Sequence, residues 1–459
     1  MKVVIVGSTH AGTQAALKIL RDHPETAVTI YERQRTVSFL SSGISLFLDG
    51  QVKRLEEMFY TSPDELTRLG ATVKTQHNVL RIDADKRRVA AVDMTTGRVT
   101  TETYDKLIMA TGSTVNVPPI RGIEGDRVLL CKDYEQAKRI YQVAKDHHRI
   151  TIVGGGYIGT ELAESYARTG HAVRLIQSQD QLLDNYVDAN LSAAVVDLLT
   201  QHGVEVVLNR RVVEFEEQAA TLAIKTATTT YHADFAIVCT GFVPNTRLLR
   251  GQVEMDRHGA ILIDDYLQTS DPNILACGDA SVVYFNPIGR TAYAPLASSA
   301  VRQGILAGTN VFGRMQRYLG TQATSAIALF GHTLASTGLT LRQAQTIQKP
   351  AASVTYRGNW RPTYMPRTDV LTINLVYSQI DRRILGAQLF SKHEVAQSAN
   401  AVSLAIQNRN TIDDLAFVDL LFNPNFDAPF NYLNLVAQLA VAQEARRGND
   451  HPRLTTPAE

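Results

Sequence analysis

The sequence predicts an α/β protein with two Rossmann-like dinucleotide-binding domains followed by an α+β C-terminal domain. Three observations predict it. A glycine loop, Gly7-Ser8-Thr9-His10-Ala11-Gly12, follows the apolar run Lys2-Val3-Val4-Ile5-Val6. A second loop, Gly154-Gly155-Gly156-Tyr157-Ile158-Gly159, follows Arg149-Ile150-Thr151-Ile152-Val153. From about residue 319 the glycine motifs stop. There, runs such as Val370-Leu371-Thr372-Ile373-Asn374-Leu375-Val376-Tyr377 mix with an amphipathic helix around residues 394 to 407.

Each loop predicts a nucleotide site for the same reason. A buried parallel strand ends in a tight glycine turn, and the turn feeds a helix whose free N–H groups and positive dipole end receive a pyrophosphate. An acid about twenty positions later, closing the next strand, binds a ribose hydroxyl. In the first unit that acid is Glu32, after Val28-Thr29-Ile30-Tyr31 and twenty positions beyond Gly12. Thr9 stands where the pattern has its middle glycine. In the second unit the strand His171-Ala172-Val173-Arg174-Leu175-Ile176 ends in Gln177, not an acid. A glutamine still bonds a ribose hydroxyl but does not repel a 2′-phosphate. No Lys or Arg follows in Ser178-Gln179-Asp180-Gln181, so NADH is expected over NADPH.

Between the loops, Ala71-Thr72-Val73-Lys74 and Arg88-Val89-Ala90-Ala91-Val92 read as a β-rich stretch. Tyr104-Asp105-Lys106-Leu107-Ile108-Met109-Ala110-Thr111-Gly112-Ser113 reads as a strand entering a glycine turn. Val117-Pro118-Pro119-Ile120 reads as a domain crossing, because consecutive prolines exclude helix and central strand. The expected division is a discontinuous first domain (1–120 and 241–318), a second domain (121–240), a third (319–445) and a frayed polar tail (446–459).

Composition narrows the class. A length of 459 residues gives a prior of about three domains. Lys and Arg number 46 against 45 Asp and Glu, a balance that offers no nucleic-acid or anionic-membrane partner. No apolar run reaches the roughly eighteen residues needed to span a bilayer, and the opening run is too short for a signal sequence. Cys131, Cys239 and Cys277 have no metal-ligand spacing. Their scarcity suits a reducing cytoplasm and a structural role.

Together these motifs make the chain resemble the flavoprotein disulfide reductase superfamily, in particular its NADH oxidase, NADH peroxidase and coenzyme A-disulfide reductase branch. The resemblance spans nearly the whole chain. It adds Ala110-Thr111-Gly112 at the outward crossover, Gly241-Phe242-Val243-Pro244-Asn245 at the return, and Thr269-Ser270 with Ala276-Cys277-Gly278-Asp279. It implies FAD at Gly7, Gly12, Glu32, Thr111, Gly112, Gly278, Asp279 and Ala297, where Pro295-Leu296-Ala297-Ser298-Ser299 starts a helix aimed at the flavin. It implies NADH at Gly154, Gly156, Tyr157, Gly159, Glu161, Gln177 and Gly241, with Tyr157 as a gate over the flavin and Glu161 close to that ring. It also implies a C-terminal interface domain, a homodimer, and oxygen or peroxide as electron acceptor. The segment Asn423-Pro424-Asn425-Phe426-Asp427-Ala428-Pro429-Phe430-Asn431-Tyr432 is similar to the branch's interface signature.

One departure carries chemistry. The branch has Ser-Phe-Leu-Ser-Cys-Gly, whose cysteine is the redox centre; here the run is Ser38-Phe39-Leu40-Ser41-Ser42-Gly43. A thiolate attacks peroxide and cycles through a sulfenic acid, whereas a serine hydroxyl has no such oxidised state. His10, which the resemblance places beside position 42, remains as a proton or hydrogen-bond donor to reduced oxygen. The expected activity is an FAD-dependent NADH oxidase that releases hydrogen peroxide. The alternatives are an engineered cysteine-to-serine variant of a water-forming oxidase or a peroxidase, and a non-catalytic flavoprotein redox sensor. Electron transfer to a protein partner, which usually employs a basic docking patch, draws little support from the near-neutral charge, and coenzyme A-disulfide reduction lacks its thiol.

Overall fold

The computed structural model describes residues 1–450. Two five-stranded sheets, each wholly parallel, organise the first two thirds of the chain. The first has the spatial order Ile274–Ala276, Lys106–Met109, Lys2–Val6, Ala27–Tyr31, Thr72–Lys74. The second has the order Glu205–Val207, Ala172–Ile176, Arg149–Val153, Phe235–Val238, Val128–Leu130. Parallel strands covered on both faces read as continuous apolar runs: Val3, Val4 and Ile5 in the first sheet and Ile152 in the second have no exposed surface. Each unit also carries a three-stranded antiparallel sheet, His77–Asp83 with Arg88–Asp93 and Val99–Thr103, or Val212–Glu217 with Leu222–Thr226 and Thr230–Ala233.

The chain passes between the two units through a short antiparallel pair, Ser113–Val115 against Phe242–Pro244. The outward crossing therefore begins before the prolines at 118 and 119. The C-terminal part is an antiparallel sheet in the order Ser325–Leu329, His332–Gly338, Ile384–Ser391, Val370–Ser378, Ala351–Asn359, with the helices Ala396–Gln407, Ile412–Phe417 and Tyr432–Asp450. Among the described residues no helix is long and apolar enough to cross a membrane.

The β-rich stretch divides between two sheets: Thr72–Lys74 is the edge strand of the parallel sheet, beside Ala27–Tyr31, and Arg88–Asp93 is the middle strand of the antiparallel one. Two expectations change, at the helix near residue 394 and at the tail. The helix expected around residue 394 begins at Ala396, and the Glu394 carboxylate accepts from the Ala396 N–H just outside it. The last helix runs to Asp450, so residues 446–450 are not frayed; the remainder of the expected tail, 451–459, lies outside the described residues.

Helix Ala11–Asp22 packs on helix Ala297–Asn310 backbone to backbone. A Cβ on Gly304 would stand 2.3 Å from the Ala11 carbonyl oxygen, and one on Gly308 2.7 Å from that of Ala15. This contact brings the first glycine loop and the Ala297 helix start to one cleft. Gly304→Ala gains about 1 kcal/mol of helix propensity, but overpacking a rigid backbone contact costs about 2–3 kcal/mol. We expect a net destabilisation of roughly 1–2 kcal/mol as a lower urea midpoint. An unchanged midpoint would show that the helices slide apart freely.

Candidate functional site

Both glycine loops open onto one cavity of 2580 Å³ between the two parallel sheets and the C-terminal sheet. Three helices start at its wall: Ala11–Asp22 after His10, Tyr157–Arg168 after Gly156, and Ala297–Asn310 after Leu296. None of the three has a side-chain cap, so the first N–H groups of each helix lack an internal partner. Three donor sets converging on one cavity suit two anionic dinucleotides. The loop backbones are packed tightly against the neighbouring strand ends. Gly7 sits at φ +94 with its missing Cβ 2.3 Å from the Ala110 carbonyl oxygen, and Gly154 at φ +113 with its own 2.3 Å from that of Cys239.

The expected cofactor residues separate into two groups. Gly7, Glu32, Thr111, Gly112, Gly278, Asp279, Ala297, Gly154, Gly156, Tyr157, Glu161, Gln177 and Gly241 line the cavity, as do His10 and Ser42. Gly12 and Gly159 do not. Each lies within the first turn of its helix, where a Cβ would be 1.9 Å from the carbonyl oxygen of Gly7 or Gly154. They close the loops and leave the lining to their neighbours.

Glu32 and Gln177 occupy matching places at the two second-strand ends. The Glu32 carboxylate accepts from the Ser8 N–H at 2.7 Å and the Gln34 N–H at 2.9 Å, and burial raises its pKa against those bonds. Gln177 Oε1 accepts from the Gly155 N–H at 3.3 Å and the Ser178 N–H at 3.2 Å. The shorter bonds belong to the charged acceptor, as expected. Glutamine thus keeps the loop-bracing contact without the charge. The cation missing from the following sequence comes from elsewhere: Arg342, from the C-terminal part, also lines the cavity and donates to Asp180 Oδ1 at 2.7 Å.

At the crossover, Asp279 Oδ2 accepts from Ser113 Oγ at 2.6 Å, and Lys132 Nζ donates to that Ser113 Oγ at 2.9 Å. Lys132 stands 3.8 Å above the Phe242 ring. Burial lowers its pKa, opposed by Asp279 and Asp133. Thr111 Oγ1 donates to the Asn245 carbonyl at 2.6 Å, tying the outward crossing to the return. The Gly278 N–H donates to Gln303 Oε1 at 2.8 Å, fixing the loop before Asp279. Lys132 and Ser113 were not foreseen, because a single Lys after a short strand carries no pattern.

Tyr157 is held at the cavity wall by three contacts. It stacks on Tyr186 with centroids 3.8 Å apart; its hydroxyl accepts from Ser325 Oγ at 2.8 Å and lies 2.9 Å from Ser336 Oγ. Both serines belong to the C-terminal sheet, so that sheet completes the wall. His10 Nδ1 lies 3.3 Å from Tyr60 Oη, and its Nε2 is buried without a partner among the described residues. Burial lowers the His10 pKa; Asp279 opposes this and Lys132 adds to it.

Ser42 is exposed to the cavity in a short turn, Ser41–Gly43. No other thiol supplies its missing sulfur chemistry. Cys131 and Cys239 reach the cavity wall, but burial pushes Cys131 up to about 12 and Cys239 well above the ordinary thiol range. Burial also takes Cys277 to about 12. A thiol held protonated is a poor nucleophile at neutral pH.

Glu161 is an acid strained by burial. Its carboxyl rises from 4.5 to about 7, chiefly through desolvation and then through the charge of Glu164. With the folded pKa above the unfolded one, the unfolded chain releases the proton first, so stability is lost as pH climbs from about 4.5 through about 7. Glu161→Gln removes that loss. At about 1.4 kcal/mol per unit, its stability advantage over the parent should grow by about 2 kcal/mol between roughly pH 5.5 and pH 8, read from urea unfolding at constant FAD. An advantage independent of pH would mean that Glu161 is already neutralised by a partner.

Comparison with known proteins agrees with this geometry. The pyridine nucleotide-disulphide oxidoreductase family matches residues 1–304, and its dimerisation domain matches residues 324–431. An NADH oxidase of Enterococcus faecalis is 46% identical over 443 residues, covering 96% of this chain and 99% of the relative. A coenzyme A disulfide reductase of Staphylococcus aureus is 26% identical over 96% of this chain and 99% of its own. The solved water-forming NADH oxidase of Lactobacillus brevis, bound to NADH, superposes with a TM-score of 0.96 at 49% identity, covering 97% of this chain and 99% of that one. The chain belongs to the pyridine nucleotide-disulphide oxidoreductase family and is an FAD-dependent NAD(P)H oxidoreductase of the NADH oxidase type, with FAD and NADH as its cofactors.

Proposed function

We propose that this protein oxidises NADH with molecular oxygen and releases hydrogen peroxide. The observation that carries the reading is Ser42 in the shared cavity, with all three cysteines held as thiols by burial. FAD, when bound, takes two electrons from NADH and delivers them to oxygen. The chain positions both partners. The loop at 7–12, Glu32, Asp279 and the Ala297 helix start hold FAD; the loop at 154–159 and Gln177 hold NADH; Tyr157 gates the nicotinamide face. His10 provides the polar contact to reduced oxygen. The parallel units, 1–120 with 241–318 and 121–240, serve as FAD and NADH domains. Residues 319–445 form the interface domain of a homodimer, in keeping with the dimerisation match.

The reading separates sharply from water formation. Peroxide release consumes one NADH per O2, whereas water formation consumes two. We expect close to one peroxide per NADH, measured as oxygen returned on adding catalase in an oxygen electrode. Ser42→Cys restores a group that can be oxidised by peroxide and reduced again, so the ratio should move toward two NADH per O2 with little peroxide. Water as the main product of the Ser42 protein would refute the proposal.

A further inference from the structure

The contacts of His10 fix which of its nitrogens carries hydrogen. A phenol has one hydrogen, and Tyr60 Oη lies 2.8 Å from the Thr9 carbonyl oxygen, which can only accept. That hydrogen is therefore committed to the backbone. The same phenol oxygen is 3.3 Å from His10 Nδ1 and has only lone pairs left to offer it. Nδ1 must then be the donor. The two rings lie nearly parallel, 7° apart with centroids separated by 6.0 Å, so the contact holds the whole imidazole plane.

The other nitrogen faces a different demand. Nε2 is sealed from solvent and has no partner among the described residues, although His10 lines the cavity. The charged groups that act on the ring are Asp279, which favours a second proton, and Lys132, which opposes it; burial outweighs both and keeps the ring neutral. A neutral imidazole has a single N–H, here used on Tyr60. Nε2 is left as a buried lone pair, and such a group demands a donor.

We propose that Tyr60 is a positioning residue that sets the tautomer of His10, so that Nε2 meets the oxygen species in the cavity as a hydrogen-bond acceptor and not as a donor. The ligand this selects is a small neutral O–H donor: hydrogen peroxide or water. The identity of that ligand rests on the oxidase reading above; the tautomer does not. An acceptor at Nε2 gives nothing to an oxyanion, and it holds fully protonated peroxide until it leaves. On this proposal His10 accepts at Nε2, in place of the proton or hydrogen-bond donor that the sequence led us to expect.

The test is nitrogen NMR on the holoenzyme carrying 15N-histidine, with the His10 signals assigned through their loss in His10→Gln. Near neutral pH the wild-type protein should show a protonated, pyrrole-type Nδ1 and a bare, pyridine-type Nε2. A protonated Nε2 with bare Nδ1 overturns the proposal by itself, without any variant. Tyr60→Phe should lose the preference and show a mixture or the reverse tautomer; an unchanged pattern in a variant with normal flavin spectrum also overturns it. In that variant kcat/KM for oxygen should fall about tenfold, the size of one net hydrogen bond, while the rate of flavin reduction by NADH is unchanged. An equal fall in both rates would mark Tyr60 as merely structural. Peroxide stoichiometry, measured separately, decides the oxidase reading whatever the tautomer.

Discussion

Two glycines without room for a methyl group set the geometry on which everything else depends. At Gly12 and at Gly159, an added Cβ would meet a loop carbonyl oxygen at the same distance, 1.9 Å. No rearrangement short of moving the backbone relieves such an overlap. Because the helix may approach its strand this closely, its first N–H groups end at the cavity wall and not over the sheet. The construction is repeated after two different strands, which makes the cavity two-sided. The third uncapped helix, Ala297–Asn310, reaches the same place only because Gly304 and Gly308 let it lie on the first.

The charges in that cavity are handled unequally, and the inequality carries information. Glu32 accepts two backbone N–H bonds and Asp279 accepts from Ser113 with Lys132 near, so each buried carboxylate is partnered. The charge that acts on Glu161 is that of Glu164, a like charge. An unpaired buried charge costs several kcal/mol where a paired one is close to neutral, and this cost is what lifts the Glu161 carboxyl to about 7. A carboxyl perturbed in this way, in a cavity wall beside the second loop, has the character of functional-site groups.

Local pattern made the two loops, their strands and the acid or amide at positions 32 and 177 readable in the sequence, because each depends on residues within about twenty positions. The β character of Thr72–Lys74 was readable but not its sheet, because its partner lies more than forty positions earlier and three residues show no period. Lys132, Tyr60, Arg342, Ser325 and Ser336 were invisible for the same reason on a larger scale. Each acts across a long loop closure: Tyr60 on residues 9 and 10, Arg342 on Asp180, the two serines on Tyr157. The third part of the chain carried no nucleotide motif, yet it supplies part of the cavity wall. Gly12 and Gly159 show the converse. Their motif positions were readable, but a pattern cannot distinguish a glycine that faces a ligand from one that faces a carbonyl.

The exchange at position 42 and the state of His10 belong to one proton problem. A thiolate beside the flavin would need a donor, and Nε2 could supply one only if the imidazole held two protons. The Tyr60 contact permits that state, because the imidazolium keeps its Nδ1–H; only Nε2 changes. What opposes it is the energy of a buried cation, with burial and Lys132 acting against Asp279. A thiolate would tip that balance, since a thiolate–imidazolium pair buries no net charge whereas imidazolium alone buries one. A serine hydroxyl cannot tip it, because it does not ionise in this range. With Ser42 in place, the second proton has nothing to hold it on Nε2. On the proposed reading, the serine at 42 and an acceptor at Nε2 are two aspects of the same neutral site, and peroxide released from it leaves carrying both of its protons.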